Sequence, residues 1–147
     1  NYKILKKKFI FEYCTTSKEN VFRGFHFQSK NKQAKFVNVI KGKILDIVID
    51  LRKGSKTFGK AHSVILSKQN ALSLYIPAGF AHAYYSYDKE NIIYYKLDNY
   101  YNPKFEDGII YNDPELKLRL PKSNLKISKK DKNLLTLSQF KKKYKYL

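Results

Sequence analysis

From Val21 to Asp98, short runs of β-branched and aromatic residues alternate with polar ones and are broken by turn residues, the pattern of an antiparallel all-β domain. The sharpest case is 44–51. There Leu45, Ile47, Ile49 and Leu51 fall on one face of an extended chain and Asp46 and Asp50 on the other, so a strand sets two carboxylates opposite an aliphatic stripe. Gly42, between Lys41 and Lys43, supplies the turn before it. Further strands are predicted over 63–66, 73–76, 80–87 and 91–97, joined by segments that hold Gly54, Gly59 and Pro77. Strands at this spacing predict a sandwich or jelly-roll barrel.

After Pro103 the texture changes to loop, with Gly108, Asn112-Asp113-Pro114 and Pro121. Ser128, followed three residues later by Asp131 and then by Leu134, Leu135 and Leu137, predicts a closing helix that starts at a cap of the capping-box kind. The basic end from Lys141 to Lys145 reads as the charged tail of that helix. No internal repeat and no linker divides the chain, so residues 1–147 are expected to form one domain.

Composition narrows the picture. The chain is 43% hydrophobic, with 13 Tyr and 10 Phe, which supplies a core and excludes global disorder. No apolar run approaches the roughly 20 residues of a membrane helix. The apolar patch Phe9-Ile10-Phe11 after Lys6-Lys7-Lys8 is too short to read as a secretory leader. Cys14 is the single cysteine, so no internal disulfide is expected and the expected setting is cytoplasmic. Thirty Lys and Arg against 12 Asp and Glu leave a net charge of +18. That surplus is spread along the chain as lysine. Arg23, Arg52 and Arg119 are the only arginines and no base-reading motif accompanies them, so neither nucleic acid nor a membrane is expected as partner.

Two segments combine a histidine with glycine-enforced turns: Arg23-Gly24-Phe25-His26-Phe27-Gln28 and Ile76-Pro77-Ala78-Gly79-Phe80-Ala81-His82. In the first, strand alternation places His26 and Gln28 on one face and Phe25 and Phe27 on the other. The second turns the chain and aims His82 back into the sheet, and it resembles the second signature of the cupin barrels. Metal-binding cupins complete their site with His-x-His and a downstream carboxylate. Here Gln28 takes the second place and Asn31, Lys32 and Lys35 follow, so no catalytic metal is expected. What remains is a pocket of His, Lys, Arg and Tyr, a set suited to proton transfer beside an anionic ligand.

With further segments the resemblance becomes specific. These are Asn20 to Gln28, Asp46 to Gly59, Ile76 to His82, Tyr95-Lys96, Asn99-Tyr100-Tyr101-Asn102-Pro103, Asn112-Asp113-Pro114 and Ser128-Lys129-Lys130-Asp131. In this order, from about Phe9 to Leu135, the chain resembles the dTDP-4-dehydrorhamnose 3,5-epimerase family of nucleotide-sugar biosynthesis. The resemblance implies an all-β, cupin-type jelly-roll barrel with a short C-terminal helix, assembled as a homodimer by sheet extension. It implies an isomerase that inverts C3 and/or C5 of a nucleotide-linked 4-keto-6-deoxy sugar, as in dTDP-rhamnose and polysaccharide biosynthesis, without cofactor. No nicotinamide fingerprint is present, and none is needed, because the ketone acidifies the neighbouring C–H.

Residue by residue, the resemblance makes His26 the general base, with Asp131 holding its imidazole, Lys35 neutralising the enolate oxygen and Tyr95 returning a proton from the opposite sugar face. It makes Arg23 the ligand of the pyrophosphate and Tyr101 the stacking partner of the nucleobase. Gln28, Asp46 and His82 are expected to line the substrate pocket. Read without the resemblance, His26 is equally a satisfied core histidine, Asp131 a helix cap and Tyr95 a strand aromatic. The pattern is interrupted before Ser17, where Tyr13 and Cys14 replace a polar pair usual in the family, which bears on nucleotide contacts and substrate choice. Three readings compete with the first: a 3-epimerase, a ketoisomerase on a non-dTDP sugar, which Gln28 disfavours, and a non-catalytic sugar-binding cupin.

Overall fold

The computed structural model describes residues 8–121 and 124–147; Lys6 and Lys7 of the basic start lie outside them. Among the described residues ten strands and one α-helix follow one another as β1 (Phe11–Ser17), β2 (Val21–Gln28), β3 (Lys35–Lys41), β4 (Lys43–Asp50), β5 (Ala61–Ser67), β6 (Ser73–Ile76), β7 (Phe80–Ser86), β8 (Asn91–Leu97), β9 (Glu106–Gly108), β10 (Lys126–Ile127) and α1 (Leu137–Tyr144). The strands form two sheets that make a jelly-roll barrel. One has four strands in the order β1-β8-β3-β6, the other the order β10-β2-β7-β4-β5, with β9 paired to β2. Among the described residues no helix is long and apolar enough to cross a membrane.

The central strands β2, β7 and β4 of the larger sheet are buried on both faces, and this explains their sequence. The sheet's inner face looks across at the smaller sheet, where Val37, Val39, Ile44, Val48, Leu66, Ile76, Tyr84, Ile93, Tyr95 and Leu97 form one apolar cluster. Its outer face carries Phe22, Phe25, Phe27, Ile47, Ile49, Ala81, Ala83 and Tyr85, which pack beneath Leu137, Phe140 and Leu147 of the C-terminal segment. The aliphatic stripe of β4 therefore lies under the C-terminal segment. The opposite, carboxylate-bearing stripe lies inside the barrel, where Asp46 and Asp50 are both fully buried. Asp50 accepts hydrogen bonds from Arg52 Nε (3.0 Å), Arg52 Nη2 (2.7 Å), Ser55 Oγ (2.6 Å) and Thr57 Oγ1 (2.6 Å). Burial works against its charge, but the Arg52 guanidinium and the two hydroxyls hold its carboxyl far below the usual range.

The closing helix begins later than the sequence pattern suggests. Ser128 Oγ does accept the Asp131 N–H (3.0 Å), yet the turn it caps is only the 3₁₀ turn Asp131–Asn133. The chain then extends, because Leu135 bridges to the strand region after β9: its N–H donates to Gly108 O (3.2 Å) and its carbonyl accepts from Ile110 N (2.8 Å). The helix starts at Thr136 with a full capping box, Gln139 N donating to Thr136 Oγ1 (3.1 Å) and Thr136 N to Gln139 Oε1 (2.7 Å). Asp113 also fixes this start, since its Oδ2 accepts the Leu137 N–H at 2.6 Å. The basic tail is tied down by Lys141 to Glu115 (2.6 Å) and Lys143 to Asp107 (2.9 Å).

Phe140 is the centre of the contact between helix and sheet, fully buried and edge-on to Phe27 at 5.4 Å. Phe140→Ala is expected to lower stability by about 3–4 kcal/mol, the cost of a large unfilled aromatic cavity. Denaturant unfolding followed by far-ultraviolet circular dichroism measures it, and a loss below about 1 kcal/mol would mean that the helix does not close this face.

Candidate active site

His26 is delivered by β2, just past an irregularity that shifts the β2–β7 register between Arg23 and His26. Gly24 makes this possible. Its φ is +118°, and a Cβ there would lie 2.5 Å from the His82 carbonyl oxygen and 2.6 Å from Ala83 Cβ, so only glycine fits. Beyond the irregularity, His26 sits opposite His82 of β7 and opposite Gly108 of β9. Phe25 and Phe27 enter the outer core and His26 and Gln28 face the barrel interior, as strand alternation predicts.

The imidazole is held from behind. His26 Nε2 lies 2.8 Å from Asp131 Oδ1, and Asp131 Oδ2 accepts the backbone N–H of Gly24 at 3.2 Å. Asp131 is buried, which alone would raise its pKa, but the hydrogen bonds and charge of His26 and the Gly24 N–H bring it below the usual carboxylate value. An ionised carboxylate only accepts, so the proton on the imidazole sits on Nε2. Nδ1, 3.9 Å from Glu106 Oε1, is the nitrogen on the pocket side.

The pocket is a cavity of about 120 Å³ between the two sheets. His26, Phe27, Gln28 and Glu106 line it from the larger sheet, Tyr13, Lys35 and Leu97 from the smaller one, and Gln33 and Tyr101 from the connecting loops. Lys35 opens β3 and points inward opposite Leu97. Burial of its ammonium pushes its pKa down to about 8, against the pull of the Asp46 and Glu106 carboxylates. Gln28 has its amide fully engaged: Nε2 donates to Asn31 O (3.0 Å) and Tyr100 O (3.1 Å), and Oε1 accepts from Asn102 N (2.6 Å). It pins the loop that carries Tyr101.

Glu106 is the residue that sequence reasoning missed. Its Oε1 is 3.9 Å from His26 Nδ1, and its Oε2 accepts from Tyr101 Oη (2.6 Å) and from Lys130 Nζ. Burial opposes its charge, yet Lys130, Tyr101 and His26 together bring its pKa below the ordinary value. The bond to Glu106, more than burial, raises the Tyr101 hydroxyl to about 12. Position 106 follows Asn99 to Pro103 by only a few residues, and the lone Glu carries no spacing signal of its own. Only the β2–β9 pairing brings it to His26.

The other expected residues, Asp46, His82, Tyr95 and Arg23, are not part of this cavity's lining. His82 Nε2 is 2.8 Å from Asp46 Oδ2, both buried in the barrel interior. Among the described residues, Asp46 Oδ1 and Tyr84 Oη are buried with no hydrogen-bond partner. Tyr95 is buried edge-on to His82, with ring centroids 6.0 Å apart. Burial first, then the neighbouring Tyr84, Asp46 and Tyr13, push its hydroxyl well above the usual tyrosine value, so it stays protonated near neutral pH. Arg23 is exposed, with Nη1 donating to Thr15 Oγ1 (2.9 Å), in an adjacent groove also lined by Lys18, Lys89 and Lys126. Among the described residues no three His, Cys, Asp or Glu side chains converge in a way that could hold a metal ion.

The chain is thus a jelly-roll barrel with a carboxylate-held histidine on one sheet and a lysine and tyrosines on the other. The sequence model of the dTDP-4-dehydrorhamnose 3,5-epimerase family matches residues 1–139. A dTDP-4-dehydrorhamnose 3,5-epimerase of Neisseria gonorrhoeae is 40% identical over 118 residues, covering 80% of this chain and 36% of the relative. One of Methanothermobacter thermautotrophicus is 39% identical over 132 residues, covering 88% and 71%. Among solved structures, the Legionella pneumophila dTDP-6-deoxy-D-glucose-3,5-epimerase in complex with dTDP-4-keto-L-rhamnose superposes with a TM-score of 0.88 at 36% identity, covering 91% of this chain and 72% of that one. The chain belongs to the dTDP-4-dehydrorhamnose 3,5-epimerase family. It spans little over a third of the gonococcal relative's length and under three quarters of the second relative's.

The low pKa of Lys35 has a consequence for stability. Between pH 8 and 10.5 the unfolded chain still holds the proton that the folded Lys35 has released, so raising the pH favours the folded state. The penalty is complete below pH 8 and gone above 10.5. Lys35→Met has no such penalty, so the melting temperature of the wild type should gain on the variant across this window. Parallel curves for the two proteins would show that the ammonium is not desolvated.

Proposed function

We propose that this protein epimerises C3 and C5 of a dTDP-linked 4-keto-6-deoxy sugar by proton removal and return without a cofactor. The observation that carries this reading is the His26–Asp131 pair, with Nδ1 facing a cavity whose opposite wall holds Lys35. His26 Nδ1 takes the proton from the carbon beside the C4 ketone. The electron pair of that C–H bond moves to the ketone oxygen, and the Lys35 ammonium neutralises the enolate that forms. The Tyr95 phenol, on the sheet opposite His26, then gives its proton to the other face of the same carbon. The phenolate regains a proton from solvent and the imidazolium returns one to it, so the cycle closes with the centre inverted and no net redox change. Glu106, 3.9 Å from Nδ1, and Asp131, 2.8 Å from Nε2, flank the ring at its two nitrogens.

The surroundings support a nucleotide-linked substrate. The groove of Arg23, Lys18, Lys89 and Lys126 suits a diphosphate, and the half-exposed ring of Tyr101 at the cavity mouth suits stacking on a base. The Neisseria, Methanothermobacter and Legionella proteins named above are all described as epimerases of this sugar chemistry. Exposed Ile10, just before β1, and exposed Phe11 at the start of this edge strand support a homodimer formed by pairing sheet edges. An exposed free Cys14 fits a cytoplasmic setting.

Proton NMR of dTDP-4-keto-6-deoxyglucose in deuterated water with the enzyme reads both steps. Deuterium is expected to enter at C3 and C5. Entry at C3 alone would make the protein a 3-epimerase, and no entry at either carbon would contradict the assignment. His26→Ala should slow entry at both carbons by about a thousandfold with an unchanged circular dichroism spectrum, and wild-type exchange in this variant would remove His26 from the chemistry.

A further inference from the structure

The two tyrosines on the sheet facing His26 form a unit. Tyr13 and Tyr95 lie directly opposite each other in the β1–β8 register. Their rings are stacked, with centroids 4.9 Å apart and planes 14° from parallel. Tyr95 is 4% exposed, and Tyr13 is 40% exposed and lines the His26 cavity. The hydroxyl end of Tyr13 is nonetheless desolvated, which, with Tyr84 and Glu106 nearby, raises it to about 12. Tyr13 itself leans on Phe11, with centroids 5.8 Å apart.

Strand β1 has an unusual composition for its position. Of its residues only Ser17 is buried, and none joins the two apolar clusters. Its inward stripe instead serves the site. Tyr13 covers Tyr95, and Thr15, two residues on, accepts the hydrogen bond from Arg23. A stacked cross-strand aromatic pair favours one ring orientation over others. Tyr95 is thereby held between the Tyr13 face on one side and the His82 ring on the other.

We propose that Tyr13 is a positioning residue for proton return: its ring clamps Tyr95 in the orientation from which the Tyr95 phenol reaches the sugar face opposite His26. The inference rests on the proposed role of Tyr95 as the acid. It assigns the function to the ring of Tyr13, not to its hydroxyl. Proton removal by His26, which belongs to the other sheet, does not depend on the clamp.

The test separates removal from return. With dTDP-4-keto-6-deoxyglucose in deuterated water, the ratio of inverted product to deuterium incorporated without inversion reports how efficiently the phenol captures the enolate. Tyr13→Ala should lower this ratio about tenfold or more, because a misplaced donor loses near-attack geometry. Tyr13→Phe, which keeps the stack, should restore the ratio to within about twofold of wild type. Tyr13→Leu keeps an apolar contact without the stack, and serves in place of the alanine variant if that one does not fold. An unchanged ratio in the unstacked variants would overturn the clamp, and so would a Tyr13→Phe ratio as low as that of Tyr13→Ala. Tyr95→Phe in the same assay distinguishes the two failures. A lowered ratio there with an unchanged Tyr13→Ala rejects the clamp alone, whereas an unchanged ratio in Tyr95→Phe rejects the acid role and the clamp with it.

Discussion

A single buried carboxylate joins the two ends of this fold and sets its chemistry. Asp131 arrives on a 3₁₀ turn more than a hundred residues after β2, yet its two oxygens accept from the His26 ring and from the Gly24 backbone. The first bond fixes the tautomer and direction of the imidazole, and the second ties the turn to the strand that carries it. The arrangement depends on Gly24, because only a residue without Cβ lets β2 pass so close to His82 and Ala83. It depends also on Leu135 and Asp113, which hold the chain after the turn in place before α1 begins. Were Asp131 neutral or displaced, the imidazole would be free to present either nitrogen to the cavity.

The larger sheet gains its strength from one face and its chemistry from the other. Its outer face is an aromatic and aliphatic layer sealed by Phe140 and its neighbours. That seal lets the inner face carry buried polar groups, namely the His82–Asp46 pair and Asp50 with its saturated oxygens, beside the partly exposed His26. The smaller sheet supplies the complementary set, a desolvated lysine and stacked phenols. In the proposed reaction the base and the acid come from different sheets, on opposite sides of the space between them, the spatial requirement for inverting a carbon centre.

Much of this was legible in the sequence, and the exceptions have physical reasons. The strands at 73–76 and 91–97 were readable because their turn residues and alternation agree with the pairing. Strand β1 was not, since its inward residues are Tyr13 and Thr15 rather than aliphatic ones and it packs on the site instead of the core. The helix start was misplaced because Ser128 and Asp131 make a real local cap whose continuation is overridden by the bridge of Leu135 to the chain after β9. His26, Lys35, Tyr101 and Gln28 do line one cavity, while Arg23 faces a neighbouring groove. Glu106 was invisible because proximity created by sheet pairing leaves no trace in local spacing.

The account turns on the state of one ring. Long-range ¹⁵N NMR of the histidine side chains at neutral pH, with His26 assigned from the His26→Ala variant, reports which nitrogen carries the proton. In the neutral form of the ring, a proton on Nε2 and a bare Nδ1 is the predicted result, lost or mixed in Asp131→Asn. A proton on Nδ1 in the wild type would turn the basic nitrogen away from the cavity and contradict the role given to the His26–Asp131 pair.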